Sequence, residues 1–400
     1  MSGTRWRDAP LVCVRLRPTA RQYVSLAACL DAHRELYNAA LQERRDAWSH
    51  NKARIYYGDQ SAQLTEIRAA RPDQAMWSFS SQQTTLRRLA KAFDGFFRRI
   101  KTAKPGVKAG YPRFKGKARF DSVEWPKDGD GARWLPDSKR VYLQGVGQVK
   151  VELHRPVAGR VKTIQVKRQG RRWMLVLSCD DVPAAPLPET GCRVGIDVGI
   201  ASFATTSDGE HIDNPRWGRA AEDKLTAAQQ RVARAKRGSK NRHRKRETVA
   251  TRHRKIANQR RDFHHKHART LVRRYDVLVV EDLQIANMLR RAKPVPDPDA
   301  PGQFLTNGAQ AKSGLNRSIS DASWGGFVSK LRAKAEEAGR VWIEVDPRHT
   351  SDGCERCRYA ARENRVSQAV FRCISCGHGP TQADEHAARN ILRAGLALHA

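Results

Sequence analysis

Short runs of alternating apolar and polar residues recur in the N-terminal half of the chain. Residues 11–17, LVCVRLR, alternate apolar with basic side chains, which predicts a β-strand. Four more alternating runs follow between residues 140 and 179, separated by polar turns: RVYLQ, QVKVEL, KTIQVKR and WMLVLSC. We predict that these strands form a small β-barrel, which the strand at 11–17 can join.

A helical period separates the first strand from the barrel. Residues 19–49 and about 80–100 place apolar side chains at three- and four-residue spacing, which predicts amphipathic helices. A loop rich in Lys, Gly and Pro, containing GYPRFKGK, follows at 104–120. The run DDVPAAPLPE at 181–190 is typical of a linker. The pattern therefore predicts a helical block inserted into a β-domain.

The pattern changes to α/β at residue 193. Two apolar runs, RVGID and VLVVE, predict buried strands, and VWIEV at 341–345 predicts another strand. Between the first two, ASFATTSDGEHI predicts a hairpin that turns at Asp208-Gly209. The other predicted segments are a basic helical stretch at 217–274, a flexible loop at 292–316, an amphipathic helix at 321–338 and a closing helix at 384–397.

The charge of the chain narrows the possible partners. Lys and Arg number 75 among 400 residues, Asp and Glu number 41, and the net charge is +34. Such self-repulsion favours a polyanionic partner, and nucleic acid fits best because each phosphate contact releases counterions. A membrane surface would need an apolar span or anchor, and the sequence has neither. The first residues also lack an apolar signal-peptide core, so we expect a cytoplasmic, nucleoid-associated protein.

Four of the eight cysteines form two knuckles, Cys354-x2-Cys357 and Cys373-x2-Cys376. Four thiolates at this spacing predict a tetrahedral Zn²⁺ site, structural because no position is left open. The neighbouring arginines can contact nucleic acid or form only a solvated face: Arg356, Arg358, Arg362 and Arg365. The other cysteines are predicted to be ordinary buried thiols in a reducing compartment: Cys13, Cys29, Cys179 and Cys192.

Three acids stand where predicted elements end or begin. Asp197 and Glu281 end buried strands, and Asp384 opens the last helix. Taken singly, each could be only a turn or helix cap. Ligands of α/β sheets bind outside the carboxyl ends of the strands, however, and two Mg²⁺ or Mn²⁺ ions would reconcile an acid cluster with a phosphate substrate. The sequence thus predicts a metal-dependent nuclease.

The segment 231–274 carries 18 Lys or Arg and two acids, and no apolar stripe continues through 236–256. We interpret it as a helix–turn–helix arm laid along a phosphate backbone; the alternative is an exposed arm that binds nothing. The candidate nucleic-acid-binding residues are Arg113, Lys115 and Lys117 in the basic loop and Arg237, Lys240, Arg242, Arg244, Lys245, Arg246, Arg254 and Lys255 in the arm.

These motifs together resemble a known family. GIDVGIASFATTSDGE, VVEDLQIANM and ADEHAARNIL resemble the three RuvC motifs of TnpB proteins, and the run from ISDASW to CERC resembles the segment leading to their zinc finger. TnpB, also known as OrfB transposase, is a transposon-encoded RNA-guided DNA endonuclease related to type V CRISPR effectors. The resemblance makes Asp197, Glu281 and Asp384 the catalytic, Mg²⁺-binding residues. The chain departs from the family at Gln382 and His386, where Asp and Asn are usual.

The resemblance implies an α+β multidomain fold, in which a β-barrel wedge domain is interrupted by a helical recognition lobe and followed by an RNase H-like RuvC α/β domain carrying a four-cysteine zinc finger. The implied domains are the wedge strand 1–17, the recognition lobe 18–105, the wedge barrel 106–188, the RuvC-like nuclease 189–349 with its arm 217–274, the zinc finger 350–380 and the RuvC C-terminal helix 381–400.

The resemblance also implies partners and an activity. A monomeric protein would bind a guide RNA from the transposon end and cleave double-stranded DNA beside a short target-adjacent motif, with guide pairing supplying the specificity. Two alternatives stay open. One is an RNA-guided DNA-binding repressor without nuclease activity, and the other is a transposase that transfers DNA strands.

Overall fold

The computed structural model describes residues 11–102, 109–300 and 302–399. The chain divides into two compact units, Met1–Pro183 and Ala184–Ala400. Two sequence predictions lie outside the described residues: residues 1–10 of the wedge strand, and the boundary at 105 and 106 between the recognition lobe and the barrel. Among the described helices, none is both long and apolar enough to cross a membrane.

The first unit combines one antiparallel sheet with a helical insertion. Its elements are β1 (Leu11–Arg17), α1 (Ala20–Asn51), α2 (Tyr57–Ala62), α3 (Leu64–Ala70), α4 (Pro72–Ala75), α5 (Phe79–Thr102), β2 (Ser122–Trp125), β3 (Ala132–Leu135), β4 (Arg140–Leu143), β5 (Gly147–Glu152), β6 (Arg160–Gln169) and β7 (Arg172–Asp180).

The seven strands are ordered β2-β6-β7-β1-β5-β4-β3. The prediction that β1 joins the later strands is confirmed, because β1 pairs with β7, with Val12 opposite Leu177, and with β5, with Leu16 opposite Val151. The sequence pattern missed β2 and β3, which lie at the two ends of this order. The ladders establish a seven-stranded antiparallel sheet, and its closure into a wedge barrel stays a prediction.

The core of the first unit follows from the alternation along its strands. In β1 the side chains of Val12, Val14 and Leu16 are buried, whereas Cys13 between them is exposed. The prediction of a buried thiol is therefore wrong for Cys13, which occupies the outward face of the strand. It is also wrong for Cys192, which is exposed, and it is confirmed for the two others, Cys29 and Cys179.

The second unit contains a mixed sheet, an arm of helices and the cysteine knuckles. Its elements are β8 (Arg193–Val198), β9 (Ser202–Thr206), β10 (His211–Asp213), α6 (Trp217–Ala220), α7 (Glu222–Ala233), α8 (Lys240–Arg274), β11 (Val277–Glu281), α9 (Ile285–Met288), β12 (Val295–Pro296), β13 (Phe304–Leu305), α10 (Ala309–Ala322), α11 (Trp324–Glu337), β14 (Val341–Val345), β15 (Val370–Phe371), β16 (Thr381–Gln382) and α12 (Ala383–His399), with a short 3₁₀ turn at Arg362–Asn364.

The five-stranded sheet of the second unit is ordered β10-β9-β8-β11-β14. β8, β9 and β10 form an antiparallel meander, while β11 lies parallel to both β8 and β14. The three predicted strands and the predicted hairpin are confirmed; β8 and β11 are mostly buried, as predicted, while β14 is half-buried. Side chains from one face of β8 and β11 pack with α8 and α11 in a core that includes Val194, Leu278, Leu271 and Phe327.

Two segments of the second unit differ from the sequence predictions. The predicted flexible loop at 292–316 contains the short β12–β13 ladder and the first half of α10. The predicted helix at 321–338 spans the end of α10 and the whole of α11, because the helical run breaks at Ser323, whose φ of 57° lies in the left-handed region. A break of this kind depends on the packing of the two helices, which a hydrophobic period does not encode.

The closing helix α12 lies directly against β8 and β11. An ideal Cβ at Gly195 in β8 would lie 2.1 Å from the carbonyl oxygen of Ala388 and 2.6 Å from the backbone nitrogen of Leu392. At Gly395 in α12, it would lie 2.3 Å from a methyl group of Val279 in β11. Glycine at these two positions therefore permits the close approach that brings the start of α12 to the sheet.

Candidate active site and metal centre

The three predicted acids converge at one edge of the five-stranded sheet. Asp197 lies next to the end of β8, and Glu281 is the last residue of β11. Because these strands are parallel neighbours with Ile196 opposite Val280, the two acids that follow lie side by side. Asp384 is the second residue of α12, which packs on the same two strands. The predicted strand-end placement is thus confirmed.

Electrostatics shows that the carboxyl groups interact. Burial, and after it the negative charges of Glu281 and Asp384, together raise the pKa of Asp197 to about 7, although the guanidinium of Arg365 opposes the shift. Burial also raises the pKa of Glu281 above its usual value, and a hydrogen bond from Thr350 partly offsets this effect. Crowded, buried carboxyls with raised pKa values are a common feature of catalytic and metal-binding sites.

Two polar residues, Thr350 and Arg365, hold Glu281 and Asp384 in place. The hydroxyl of Thr350 donates to Oε1 of Glu281 at 2.5 Å and is close to the carbonyl of Pro347 at 2.9 Å. Nη2 of Arg365 lies 3.4 Å from Oδ1 of Asp384 and donates to the carbonyl of Gln368 at 2.8 Å. Glu281 is thereby oriented by a residue that lies just before the first cysteine knuckle, and Asp384 by a residue that lies between the two knuckles.

The four cysteines form a more closed cluster than the acids. The Sγ atoms of Cys354 and Cys376 are 3.7 Å apart, and those of Cys357 and Cys373 are 3.5 Å apart. Two thiolates bound at about 2.3 Å to a tetrahedral Zn²⁺ would be about 3.75 Å apart, so the cluster fits that ion. Among the described residues, two groups of metal-ligating side chains have all their ligand atoms within 4.8 Å of one another: the four cysteines, and the set of Glu355, His378 and His386. The three acids are not in either group.

The basic arm consists of α7, a turn and α8, as predicted. Every buried residue of α8 lies in the half that begins at Ile256, so residues 240–255 expose a surface that carries eight Lys or Arg and the single acid Glu247. Ser239 caps this half, since its hydroxyl accepts a hydrogen bond from the backbone nitrogen of Arg242 at 3.1 Å. A long exposed helix with one acid is a surface suited to phosphates.

The other candidate basic residues differ in how free they are. In the arm, Arg242 donates to the carbonyls of Val232 and Ala235, which closes the end of α7. In the first unit, Lys117 pairs with Asp31 at 3.2 Å, while Arg113 is exposed. Among the remaining arm candidates, Arg237, Lys240, Arg244, Arg246 and Lys255 are exposed, and Lys245 and Arg254 are half-buried.

Comparisons with known proteins cover nearly the whole chain. The OrfB family model, described as a probable transposase, matches residues 161–292. A model described as "Cas12f1-like, TNB domain" matches residues 324–391, and one described as a helix-turn-helix domain matches 12–53. A solved structure of CasPhi-2 (Cas12j) bound to crRNA aligns over 97% of this chain and 98% of that one, with a TM-score of 0.49 and 11% identity.

Two curated relatives decide the family. "Putative RNA-guided DNA endonuclease InsQ" of Escherichia coli (strain K12) is 31% identical over 96% of this chain and 92% of that protein. "Putative RNA-guided DNA endonuclease" of Streptomyces pristinaespiralis is 32% identical over 96% of this chain and 89% of that protein. This chain belongs to the TnpB family.

As a TnpB-family chain, it departs from the expected third motif at two residues, and both have structural partners. Oε1 of Gln382 accepts a hydrogen bond from the backbone nitrogen of Glu385 at 2.7 Å, which caps the first turn of α12. His386 is buried and stacks on Phe371 with a ring separation of 3.6 Å. Both substitutions therefore support the helix that carries Asp384.

Sequence reasoning did not identify Thr350 and treated Arg365 only as a possible nucleic-acid contact. Thr350 is 69 positions from Glu281 and Arg365 is 19 from Asp384, so no local period connects either pair. A motif search centred on the acids could not have found them. The sequence offers one signal for these two residues, which is their position: Thr350 lies just before the first knuckle and Arg365 lies between the two knuckles.

Proposed function

We propose that this chain is an RNA-guided DNA endonuclease. It would hydrolyse phosphodiester bonds at the edge of its five-stranded sheet, which we assign to an RNase H-like RuvC domain. The observation that supports it best is the convergence of Asp197, Glu281 and Asp384 in a chain with a net charge of +34. The sheet order, with an antiparallel meander followed by two parallel strands, supports the fold assignment. The names of the two relatives, which align over 96% of the chain, support the reaction.

The same three acids would hold Mg²⁺ or Mn²⁺. Carboxylate oxygens are the ligands that such hard ions prefer. The raised pKa of Asp197 indicates that the site disfavours three uncompensated negative charges, and a divalent cation would remove that repulsion. Bound metal ions would supply a nucleophilic water and stabilise the leaving 3′ oxygen.

The protein residues around the acids position them and balance their charge. Thr350 holds one oxygen of Glu281, which limits the orientations available to that carboxylate. Arg365 lies beside Asp384 and places a fixed positive charge at the rim of the acid cluster, where a phosphate would approach. Asp197, next to the end of β8, interacts through its charge with both of these acids.

The cysteine cluster would bind one Zn²⁺ in a closed, structural site. The Sγ separations of 3.5 and 3.7 Å fit tetrahedral coordination by Cys354, Cys357, Cys373 and Cys376. A backbone nitrogen of the first knuckle, that of Arg356, donates to Sγ of Cys354 at 3.4 Å, which favours its thiolate form. Zinc binding would therefore fix the segment that contains Arg365.

We propose that the exposed half of α8 and the basic loop at 113–117 contact the guide RNA and the target DNA, with the residues predicted above as contacts. The guide would come from the transposon end, and the first unit would supply the wedge and recognition functions that read the target-adjacent motif. Pairing between guide and target would then specify the site, since phosphate contacts alone carry no sequence information. We propose that the protein acts as a monomer.

The deciding experiment combines sequencing of co-purified RNA with cleavage of a plasmid library in Mg²⁺. We expect a defined RNA species and cleavage beside one short motif. Asp197→Ala should lower the cleavage rate about a thousandfold, or roughly 4 kcal/mol of barrier, while RNA and target binding persist. Undiminished cleavage by Asp197→Ala would sink the proposal.

The same experiment separates the alternatives. If the wild type protects its target from other nucleases but never cuts it, the repressor function is correct. If the protein carries no RNA and joins transposon ends to a target, the transposase function is correct.

A further inference from the structure

A second group of metal-ligating side chains lies beside the cysteine knuckles. Nε2 of His378 lies 2.9 Å from Oε1 of Glu355, and Nδ1 of His386 lies 3.6 Å from the same oxygen. All three ligand atoms lie within 4.8 Å of one another. Two ligands bound at about 2.1 Å to a tetrahedral ion are about 3.4 Å apart, so the observed separations lie on either side of the value for a shared ion.

The unpaired nitrogen of His386 is the decisive feature. Its Nε2 lies 2.9 Å from the carbonyl oxygen of Gly353, so Nε2 carries a hydrogen and donates it. In the neutral ring Nδ1 then presents a lone pair, and within the part of the chain that the structure describes this buried atom has no hydrogen-bond partner. It faces a carboxylate oxygen of Glu355 at 3.6 Å, beyond the usual 2.7–3.2 Å of an N–H···O bond. Oε1 of Glu355 lies within hydrogen-bond distance of Nε2 of His378, whereas a cation held by Oε1 and both histidines would give Nδ1 of His386 the partner that it lacks among the described residues.

The surroundings orient these groups as they are oriented in metal sites. The carbonyl of Gly353 fixes the tautomer of His386, and stacking on Phe371 fixes its ring plane. Nε of Arg389 donates to Oε2 of Glu355 at 3.0 Å, which directs the other oxygen, Oε1, toward the two histidines. The carboxylate can thus accept a hydrogen bond from Arg389 with one oxygen and bind a metal ion with the other.

We propose that Glu355, His378 and His386 form a second Zn²⁺ site, separate from the four cysteines. Two imidazoles and one carboxylate suit Zn²⁺ and leave a fourth position for water. Glu355 lies within the first knuckle and His378 follows the second, whereas His386 belongs to α12. The ion therefore joins the knuckles to the helix that carries Asp384.

The test is the zinc content of the purified full-length protein after zinc loading and desalting. We expect about two Zn²⁺ per wild-type chain and about one in His386→Gln and in His378→Asn. Gln at 386 can still donate to the carbonyl of Gly353, so this variant removes the ligand atom while keeping that hydrogen bond. Two variants serve as controls and should keep the wild-type count: His154→Gln, an exposed histidine of the first unit, and Asp197→Ala, which excludes zinc bound at the acid cluster.

Cobalt substitution gives a second readout. The intense thiolate-to-cobalt absorption should persist in both histidine variants, while the weaker visible bands of a nitrogen- and oxygen-bound ion should disappear. One Zn²⁺ in the wild type overturns the proposal, and so does a wild-type count in the variants or the loss of both ions from a folded variant. If a histidine variant fails to fold, Glu355→Gln decides by the same counts.

Discussion

The cysteine cluster and the acid cluster bring metal-ligating groups together in opposite ways. The four cysteines lie within residues 354–376, and their paired Sγ atoms are only 3.5 and 3.7 Å apart. The acids come from residues 197, 281 and 384 and interact by charge without forming so closed a set. A local cluster is fixed by loop geometry and one ion, whereas a dispersed one depends on every element that positions it.

The two clusters should therefore fail differently. Four thiolates at this separation need an ion to hold the knuckles folded, so the loss of a ligand should remove folding free energy. The carboxyl groups are held by a sheet and a helix whose cores form independently of them. The loss of an acid should remove activity and leave the fold intact.

The largest effect on stability is expected for Cys373→Ser. We expect one Zn²⁺ fewer per chain and a loss of about 5 kcal/mol or more in unfolding free energy, because the knuckles lose their closed ligand set. Metal analysis and calorimetry measure both quantities. Cys13→Ser, at an exposed cysteine of β1, is the matched control and should melt within about 0.5 kcal/mol of the wild type. If the two variants melt alike, the cysteine cluster is not a structural metal site.

At the acid cluster, by contrast, removing a charged side chain should increase the stability of the fold, and the increase should depend on pH. Asp197 has a pKa of about 7 in the folded chain against an ordinary value of 3.8, so the folded state takes up a proton between these values. The stability that this protonated carboxyl contributes is therefore fully present below about pH 4 and is lost as pH rises to about 7. Asp197→Asn should become more stable than the wild type over that range, by at most about 4 kcal/mol.

Urea unfolding at pH 5 and pH 8, without added Mg²⁺ or Mn²⁺, measures this difference. Glu281→Gln should shift stability in the same direction, because burial also raises the pKa of Glu281. A stability difference that is equal at both pH values would show that the carboxyls are not crowded as described.

The sequence predicted the local parts of both clusters well. The cysteine spacing needs no fold to be interpreted, and the runs around Asp197 and Glu281 are apolar enough to be recognised as buried strands. The parts that failed depend on contacts distant in sequence. Packing between elements determines all of them: the helix break at Ser323, the edge strands β2 and β3, and the positions of Thr350 and Arg365 beside the acids. Hydrophobic periodicity reports which face of an element is buried, and it does not report what that face meets.

The approach of α12 to β8 gives a smaller effect that joins stability to activity. Gly195→Ala would place a Cβ 2.1 Å from a backbone oxygen of α12, so the helix must shift and carry Asp384 with it. We expect a loss of about 2 kcal/mol, which is typical of overpacking, together with slower cleavage. Gly314→Ala is the matched control, because Gly314 lies in α10 and no atom of the described residues outside its own helix turn comes within 4 Å of the added carbon. It should stabilise by up to about 1 kcal/mol, and an equal loss in both variants would contradict the close approach.

The smallest effect is expected at Thr350, the residue through which the knuckle segment reaches the acid cluster. Thr350→Val keeps the buried shape but removes the hydroxyl that donates to Glu281. We expect the cleavage rate to fall about tenfold, or roughly 1.4 kcal/mol, and Thr350→Ser to restore it. The effect is smaller than that of losing an acid because the carboxylate remains and only its orientation is freed. A thousandfold loss would mean that the hydroxyl itself takes part in the reaction. An unchanged rate would mean that β11 alone fixes Glu281, and the two clusters would then be independent of each other.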